Sequence, residues 1–247
     1  MTNHRKTYTA LFMALLLMFT VVAAITTSCS QGRKDRQTTD TLSLKRLRAL
    51  DDSVSFRSPM ARTMAEQGMK EAKDSAEYYE YYIRLGKIYL TESEPDSATA
   101  VTDRTLHFLE KQEKDAHTEG IIGFARNCKG VALHSFRRQP KEAIRQYRLS
   151  YEALMRSDRM ETAPDVCANL ADAYSFDSDL PNAAVWYRRA LFLDEAIAAL
   201  ESAKKSGIAF VDNPAHAQVK TCIDKINTLD DELNKAGSWF RALKVSK

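Results

Sequence analysis

The sequence predicts an all-α protein: antiparallel helical hairpins stacked side by side and closed by a C-terminal capping helix. Three observations predict this. Small residues and large aromatics recur together at helical offsets. All six prolines fall where a helix would start. The composition disfavours strands and loops, since the 247 residues are 44% hydrophobic and 28% charged with only 8 glycines.

Small residues let two helices approach closely, and aromatics at fixed offsets fill the gap to the next hairpin. A single hairpin leaves one apolar face uncovered, so such units must stack. The first good copy is Tyr82, Leu85, Gly86 and Tyr89 on one helix, with Ala98 on the next. The second is Leu170, Ala171 and Tyr174, then Ala183, Tyr187 and Ala190, with Ala171 in the glycine slot. Between them Gly130, Ala143 and Tyr147 form a partial copy. It needs one extra residue before Ala143, and Ser150 replaces its last alanine. Ala65, Met69 and Ala72 are a degenerate copy ahead of the others. The marker alanines Ala65, Ala98, Ala143 and Ala183 lie 33, 45 and 40 residues apart. Those intervals predict longer helices or loops, chiefly around Gln112 to Glu119.

Pro59, Pro95, Pro140 and Pro181 each precede a marker alanine by a few residues, while Pro164 and Pro214 open two further helices. A first helical turn has no use for the N–H that proline lacks. Ser58 and Asn213 are the N-caps expected before Pro59 and Pro214. The helix from Pro181 is expected to run to about Lys205, ending at Gly207. Beyond it Val219, Cys222, Ile223, Ile226, Leu229 and Leu233 recur at helical spacing. They predict a capping helix that stops at Gly237, with Trp239, Phe240, Leu243 and Val245 as an apolar tail that folds back or offers a contact. Leu42, Leu44, Leu47 and Leu50 among Lys45, Arg46 and Arg48 predict the first helix of the degenerate copy. The alternative for that segment is a basic helix lying on an anionic lipid surface.

The N-terminus has the layout of an export signal. His4, Arg5 and Lys6 form a positive start, and Ala10 to Ile25 is apolar apart from Thr20. An uncleaved membrane anchor is the alternative, although the run is short against the roughly 20 apolar residues of a span. Thr27 and Ser28 before Cys29 resemble the end of a bacterial lipoprotein signal, in which that cysteine becomes the lipidated N-terminus. Thr26 departs from the leucine usual in that motif. The expected division is 1–28 signal, 29–40 polar tether, 41–207 helical repeats, and 208–247 capping helix and tail. The expected location is exported and lipid-anchored to the cell envelope through Cys29, facing the periplasm. Cys128, Cys167 and Cys222 then remain, an odd number that cannot all pair. On apolar helical faces they read as buried thiols, with a Cys128–Cys167 disulfide as the alternative in an oxidising compartment.

Over about Ser58 to Leu193 these motifs resemble the tetratricopeptide repeat family. The resemblance implies a right-handed superhelix, an α-solenoid of about four hairpins, whose concave groove binds a peptide or protein segment. It implies no catalysis. Carried onto this sequence, the groove positions are Glu80, Ile83, Lys87 and Leu90, then Asn127 and His134, then Asp165, Ala168, Asp172 and Ser175. Some family members clamp a terminal carboxylate there with Lys, Arg and Asn. Lys87 and Asn127, with Arg84 nearby, supply those residue types, while Asp165 and Asp172 oppose a fully cationic clamp. Together with Cys29 the chain resembles envelope tetratricopeptide lipoproteins. It is also similar to the periplasmic sensor regions of repeat-containing signalling proteins, here without an output domain.

No GxGxxG, P-loop, GxSxG or HExxH is present, and the five histidines show no metal spacing. No cofactor or metal is expected. The formal charge is +3, about +1 once Arg5 and Lys6 leave with the first 28 residues. No single-sign field is available to steer nucleic acid. Arg137, Arg138, Lys141, Arg145 and Arg148 form a basic surface without interleaved aromatics, which also argues against nucleic acid. In the run Tyr78-Tyr79-Glu80-Tyr81-Tyr82, Tyr82 and Tyr79 are expected in the core and Tyr78 or Tyr81 toward the groove. The expected function is that of a non-enzymatic scaffold or adaptor.

Overall fold

Residues 45–206 and 214–245 are described in the computed structural model of the protein, and all their regular structure is helical. Helix α1 covers 45–55. It is followed by α2 (Met60–Glu71), α3 (Ser75–Thr91), α4 (Pro95–Leu109) and α5 (Ala116–Val131). A π-helical turn, Ala132–Phe136, continues α5. Then come α6 (Pro140–Met155), a 3-10 turn Met160–Thr162, α7 (Ala163–Phe176), α8 (Leu180–Ser206) and α9 (Pro214–Val245). The export signal, Cys29, the tether, Leu42, Leu44, Gly207 and Asn213 lie outside the described residues.

The chain divides into two compact units, Met1–Asp52 and Ser53–Lys247. In the first, Leu47 and Leu50 are each 1% exposed. In the second, each helix from α2 to α9 packs on the next, and α3 also packs on α5. Short links between packed neighbours make them antiparallel pairs.

The links explain the proline pattern. Four non-glycine residues have left-handed backbone: Arg57 (φ 51°), Ser93 (φ 64°), Arg138 (φ 53°) and Ser178 (φ 62°). Each terminates a helix. The amide of the following residue then donates back to a carbonyl of the last turn: Ser58 to Ser53 (2.8 Å), Glu94 to Tyr89 (2.8 Å), Gln139 to Leu133 (2.9 Å) and Asp179 to Tyr174 (2.9 Å). At three of the links this is the hydrogen-bonded close of a Schellman motif; at Gln139 the π-helical turn makes the span one residue longer. A proline follows within three residues each time, at Pro59, Pro95, Pro140 and Pro181. The same link thus recurs at intervals of 36, 45 and 40 residues, nearly the spacing of the marker alanines. Ser58 Oγ accepts from the Met60 amide at 3.3 Å. The side chains of Asp74 and Asp115 cap α3 and α5 through the amides of Glu77 (2.8 Å) and Thr118 (2.7 Å).

The 45-residue interval is absorbed in two places. The α4–α5 link is long, spanning 110–115. The extra residue expected before Ala143 is taken up by the π-helical turn, where the Arg137 amide reaches the Ala132 carbonyl at 3.2 Å. A π turn is a one-residue insertion into an α-helix.

Charge fixes how α4 meets α5. Asp96 and Asp103 of α4 and Glu110 at its C-cap recur every seven residues. They pair in antiparallel order with Arg137 (2.7 Å), Lys129 (2.6 Å) and Arg126. Arg145 pairs with Glu142 at 2.7 Å. Two members of the basic surface, Arg137 and Arg145, are therefore charge-compensated.

Tyr147, Leu154, Val166, Leu170 and Trp186 centre the core of the later helices. Most of the packing markers are buried, including Ala98, Ala143, Leu170 and Ala171 at 0% exposure. Tyr82 and Tyr89 are half-buried, while Tyr187 is 44% exposed and Trp186 takes the buried place at 5%. Positions three and four after Ala183 share a helix face. The larger apolar indole enters the core, and the Tyr187 hydroxyl donates to Asp172 outside it. In the tyrosine run the buried ring is Tyr81, 3% exposed, and it lies against Gly68. Tyr79 stacks on Phe108 with centroids 4.5 Å apart, while Tyr82 is half-buried beside Tyr78. Cys128, Cys167 and Cys222 are buried thiols without a disulfide among them. Burial pushes Cys167 up to about 12. Helix α9 does not stop at Gly237 but continues to Val245, so the tail extends the helix instead of folding back. One glycine costs a helix only about 1 kcal/mol, and no proline follows it.

Candidate functional site

The three helices that carry the groove positions are α3, α5 and α7. Helix α3 packs on α5, and α5 is tied to α7 by a side-chain bond. There Asn169 Nδ2 donates to Asn127 Oδ1 at 3.0 Å, and both residues are half-buried. Near the far end of α5, His134 meets the exposed Phe176 ring edge to face at 5.7 Å.

A buried polar cluster sits at the near end. Glu80 of α3 is 3% exposed. Its Oε1 faces Arg159 Nη2 at 2.8 Å and Arg84 Nη1 at 3.3 Å, and its Oε2 faces His117 Nε2 at 3.2 Å. The other His117 nitrogen, Nδ1, faces Asp158 Oδ2 at 3.6 Å. Arg84 also donates to the Glu80 carbonyl at 3.0 Å and lies over the Phe124 ring at 4.5 Å. Arg156 pairs with the buried Glu119 at 3.2 Å. The cluster joins α3, the first turns of α5, and the α6–α7 link. Gly120 lets the link come close, since a Cβ there would meet Arg159 Cγ at 2.8 Å.

Electrostatics follow from these contacts. The Asp158 carboxylate holds the His117 pKa above the ordinary histidine value, burial opposes it, and the Glu80 charge adds to it. His117 in turn holds Asp158 below the usual carboxylate range. Asp115 is held low chiefly by the Thr118 amide that it caps.

The expected groove residues therefore divide. Glu80, Arg84 and Ile83 are buried, at 3%, 3% and 0% exposure, and do not line an open surface. A carboxylate and a guanidinium one helical turn apart are drawn inward here because Arg159 and His117 arrive from other elements. Asp172 accepts from Tyr187 of α8, so that carboxylate is engaged by the next helix. Asp165 is exposed, and Lys87, Asn127 and His134 are half-buried. The cluster residues that the sequence did not single out are His117, Glu119, Arg156, Asp158 and Arg159. Arg156, Asp158 and Arg159 lie in the irregular α6–α7 link, where no helical period announces them, and His117 and Glu119 lie in the first turn of α5. Among the described residues, no three His, Cys, Asp or Glu side chains are placed to hold a metal ion. No described helix is long and apolar enough to cross a membrane. No protein-family model, curated protein or solved structure matches this chain.

Proposed function

We propose that the protein is a non-enzymatic scaffold or adaptor, a right-handed solenoid of tetratricopeptide-like hairpins that binds an extended peptide or protein segment along α3, α5 and α7. The observation that carries this reading is the recurrence of one hairpin link, left-handed residue then proline, at nearly the spacing of the small-residue motif. Stacked units of one kind present equivalent helices side by side, and such surfaces are used for binding. The Asn127–Asn169 pair spans two of those helices. Each carboxamide has more donors and acceptors than this one bond uses, which suits the alternating N–H and C=O groups of an extended backbone. We place the chain in the cell envelope, exported and held by lipid on Cys29.

A crosslinking pull-down from membrane fractions tests the reading with three proteins. The wild type recovers a protein partner. Asn127→Ala/Asn169→Ala recovers about five- to thirtyfold less of it, as expected when about 1–2 kcal/mol of polar contact is lost. Cys29→Ala moves to the soluble fraction. Repeated recovery of no protein by the wild type would overturn the binding role.

A further inference from the structure

We propose that His117 is a proton-operated latch: in its imidazolium form it ties α3, the start of α5 and the α6–α7 link together, and its deprotonation loosens them. The geometry carries this. Both ring nitrogens face carboxylate oxygens, Nε2 toward Glu80 at 3.2 Å and Nδ1 toward Asp158 at 3.6 Å. A neutral imidazole has one N–H and one lone pair. Whichever tautomer forms, one nitrogen then points a lone pair at an acceptor. Only the imidazolium satisfies both contacts at once.

The remaining charges around the ring were arranged by three elements. From α3 come Glu80 and Arg84, from the α6–α7 link Asp158 and Arg159, and from its own helix start Asp115 and Glu119. Arg84 and Arg159 both lean on Glu80 Oε1 and oppose protonation. Oε2 and the Asp158 carboxylate remain turned to the ring and favour it. The balance lies on the side of the charged ring.

The sign follows. A histidine whose folded pKa is raised contributes stability fully below its unfolded value, near 6.5, and loses it as pH rises through the folded value. The latch is closed in mild acid and opens through neutrality into mild alkali. Asp115 and Asp158 act oppositely. Their depressed values contribute stability above the unfolded carboxylate range and lose it only in stronger acid. What the latch regulates rests on reading α3 and α5 as part of the binding face: holding them in fixed register keeps that face in shape.

The test uses the full-length chain with no partner present. Histidine NMR titration, assigned through His→Gln variants, is expected to place His117 above the ordinary histidine value. Urea midpoints are expected to fall between about pH 6 and about pH 8.5 for the wild type and to stay level for His117→Gln. Each unit of pKa elevation corresponds to about a tenfold change in the folding constant. Should His117→Gln not fold, Asp158→Asn keeps the imidazole and removes one carboxylate. It is expected to lower the His117 titration point and flatten the slope. The latch is overturned if His117 titrates at or below the ordinary value, or if the slope survives both substitutions. Absence of any peptide partner would leave these readouts unmoved, so the latch and the binding face fail separately.

Discussion

Gly86 and Gly130 occupy the small-residue slot of two successive copies of the motif, yet adding one methyl group should move stability in opposite directions. At Gly130 a Cβ would lie 2.4, 2.6 and 2.9 Å from Cε1, Cδ1 and Cζ of Tyr147. Tyr147 is 1% exposed and sits among Leu133, Ala143 and Leu170, so its ring has no room to retreat by the roughly 1 Å that ordinary contact requires. Forcing a methyl into such packing costs about 1–3 kcal/mol. The helix-propensity gain of alanine over glycine, about 0.5–1 kcal/mol, offsets only part of it. At Gly86 the nearest atoms are Val101 Cγ1 at 3.5 Å and Ile83 Cδ1 and Thr102 Cγ2 at 3.6 Å, an ordinary van der Waals fit. Gly86→Ala should therefore raise stability by about 0.5–1 kcal/mol, and Gly130→Ala should lower it by about 1–2 kcal/mol. Urea unfolding followed by far-ultraviolet circular dichroism reads both. In a Tyr147→Leu background, Gly130→Ala should lose most of its penalty, because the ring edge it strikes is gone. Equal effects at the two glycines, or a Gly130→Ala penalty that persists without the ring, would refute this account of the slot.

Two further predictions follow from the links and the charge stripe. Ser93 holds φ 64° without being glycine, a conformation that costs an L-residue about 1 kcal/mol or more. Ser93→Gly removes that cost and gives back part of it as unfolded-state entropy, so the thermal midpoint should rise slightly, whereas Ser97→Gly inside α4 should lower it. Asp103→Lys or Lys129→Asp should each lose up to about 1 kcal/mol, the double swap should recover it, and the coupling should shrink in high salt. A coupling that salt leaves unchanged would mean that the stripe acts through packing.

The readable part of this chain was whatever repeats. Helical class, hairpin starts and the small-residue markers all follow from local rules, and the prolines at 95, 140 and 214 open their helices. Failures cluster where neighbouring aromatics compete for a single buried place. Trp186 displaced Tyr187 and Tyr81 displaced its neighbours, because spacing names a face but not which side chain fills it. The ionic cluster was illegible for a different reason. Glu80 and Arg159 stand 79 residues apart, and only the packing of α3 on α5, with Gly120 admitting the α6–α7 link, brings them together. A carboxylate and an arginine four apart on a helix ordinarily read as a solvated pair. Nothing local says that two more partners will arrive and bury them.

The π-helical turn shows how one inserted residue is tied to two neighbouring helices. Deleting a residue within Ala132–Phe136 would restore α-helical hydrogen bonding, but it would rotate everything beyond it by about 100°. Arg137 would then leave Asp96, the outermost pair of the α4–α5 stripe, and the left-handed link at Arg138 would deliver Pro140 to a different place. His134 lies inside the turn, edge-on to both Tyr147 and Phe176, so the same deletion would break the contact between α5 and the end of α7. An insertion placed in the link instead would lengthen the chain without turning His134 toward Phe176. The extra residue therefore sits inside the helix because two fixed registers, charge pairing with α4 and aromatic contact with α7, must be met by one continuous element. They differ by one residue from what a regular helix provides.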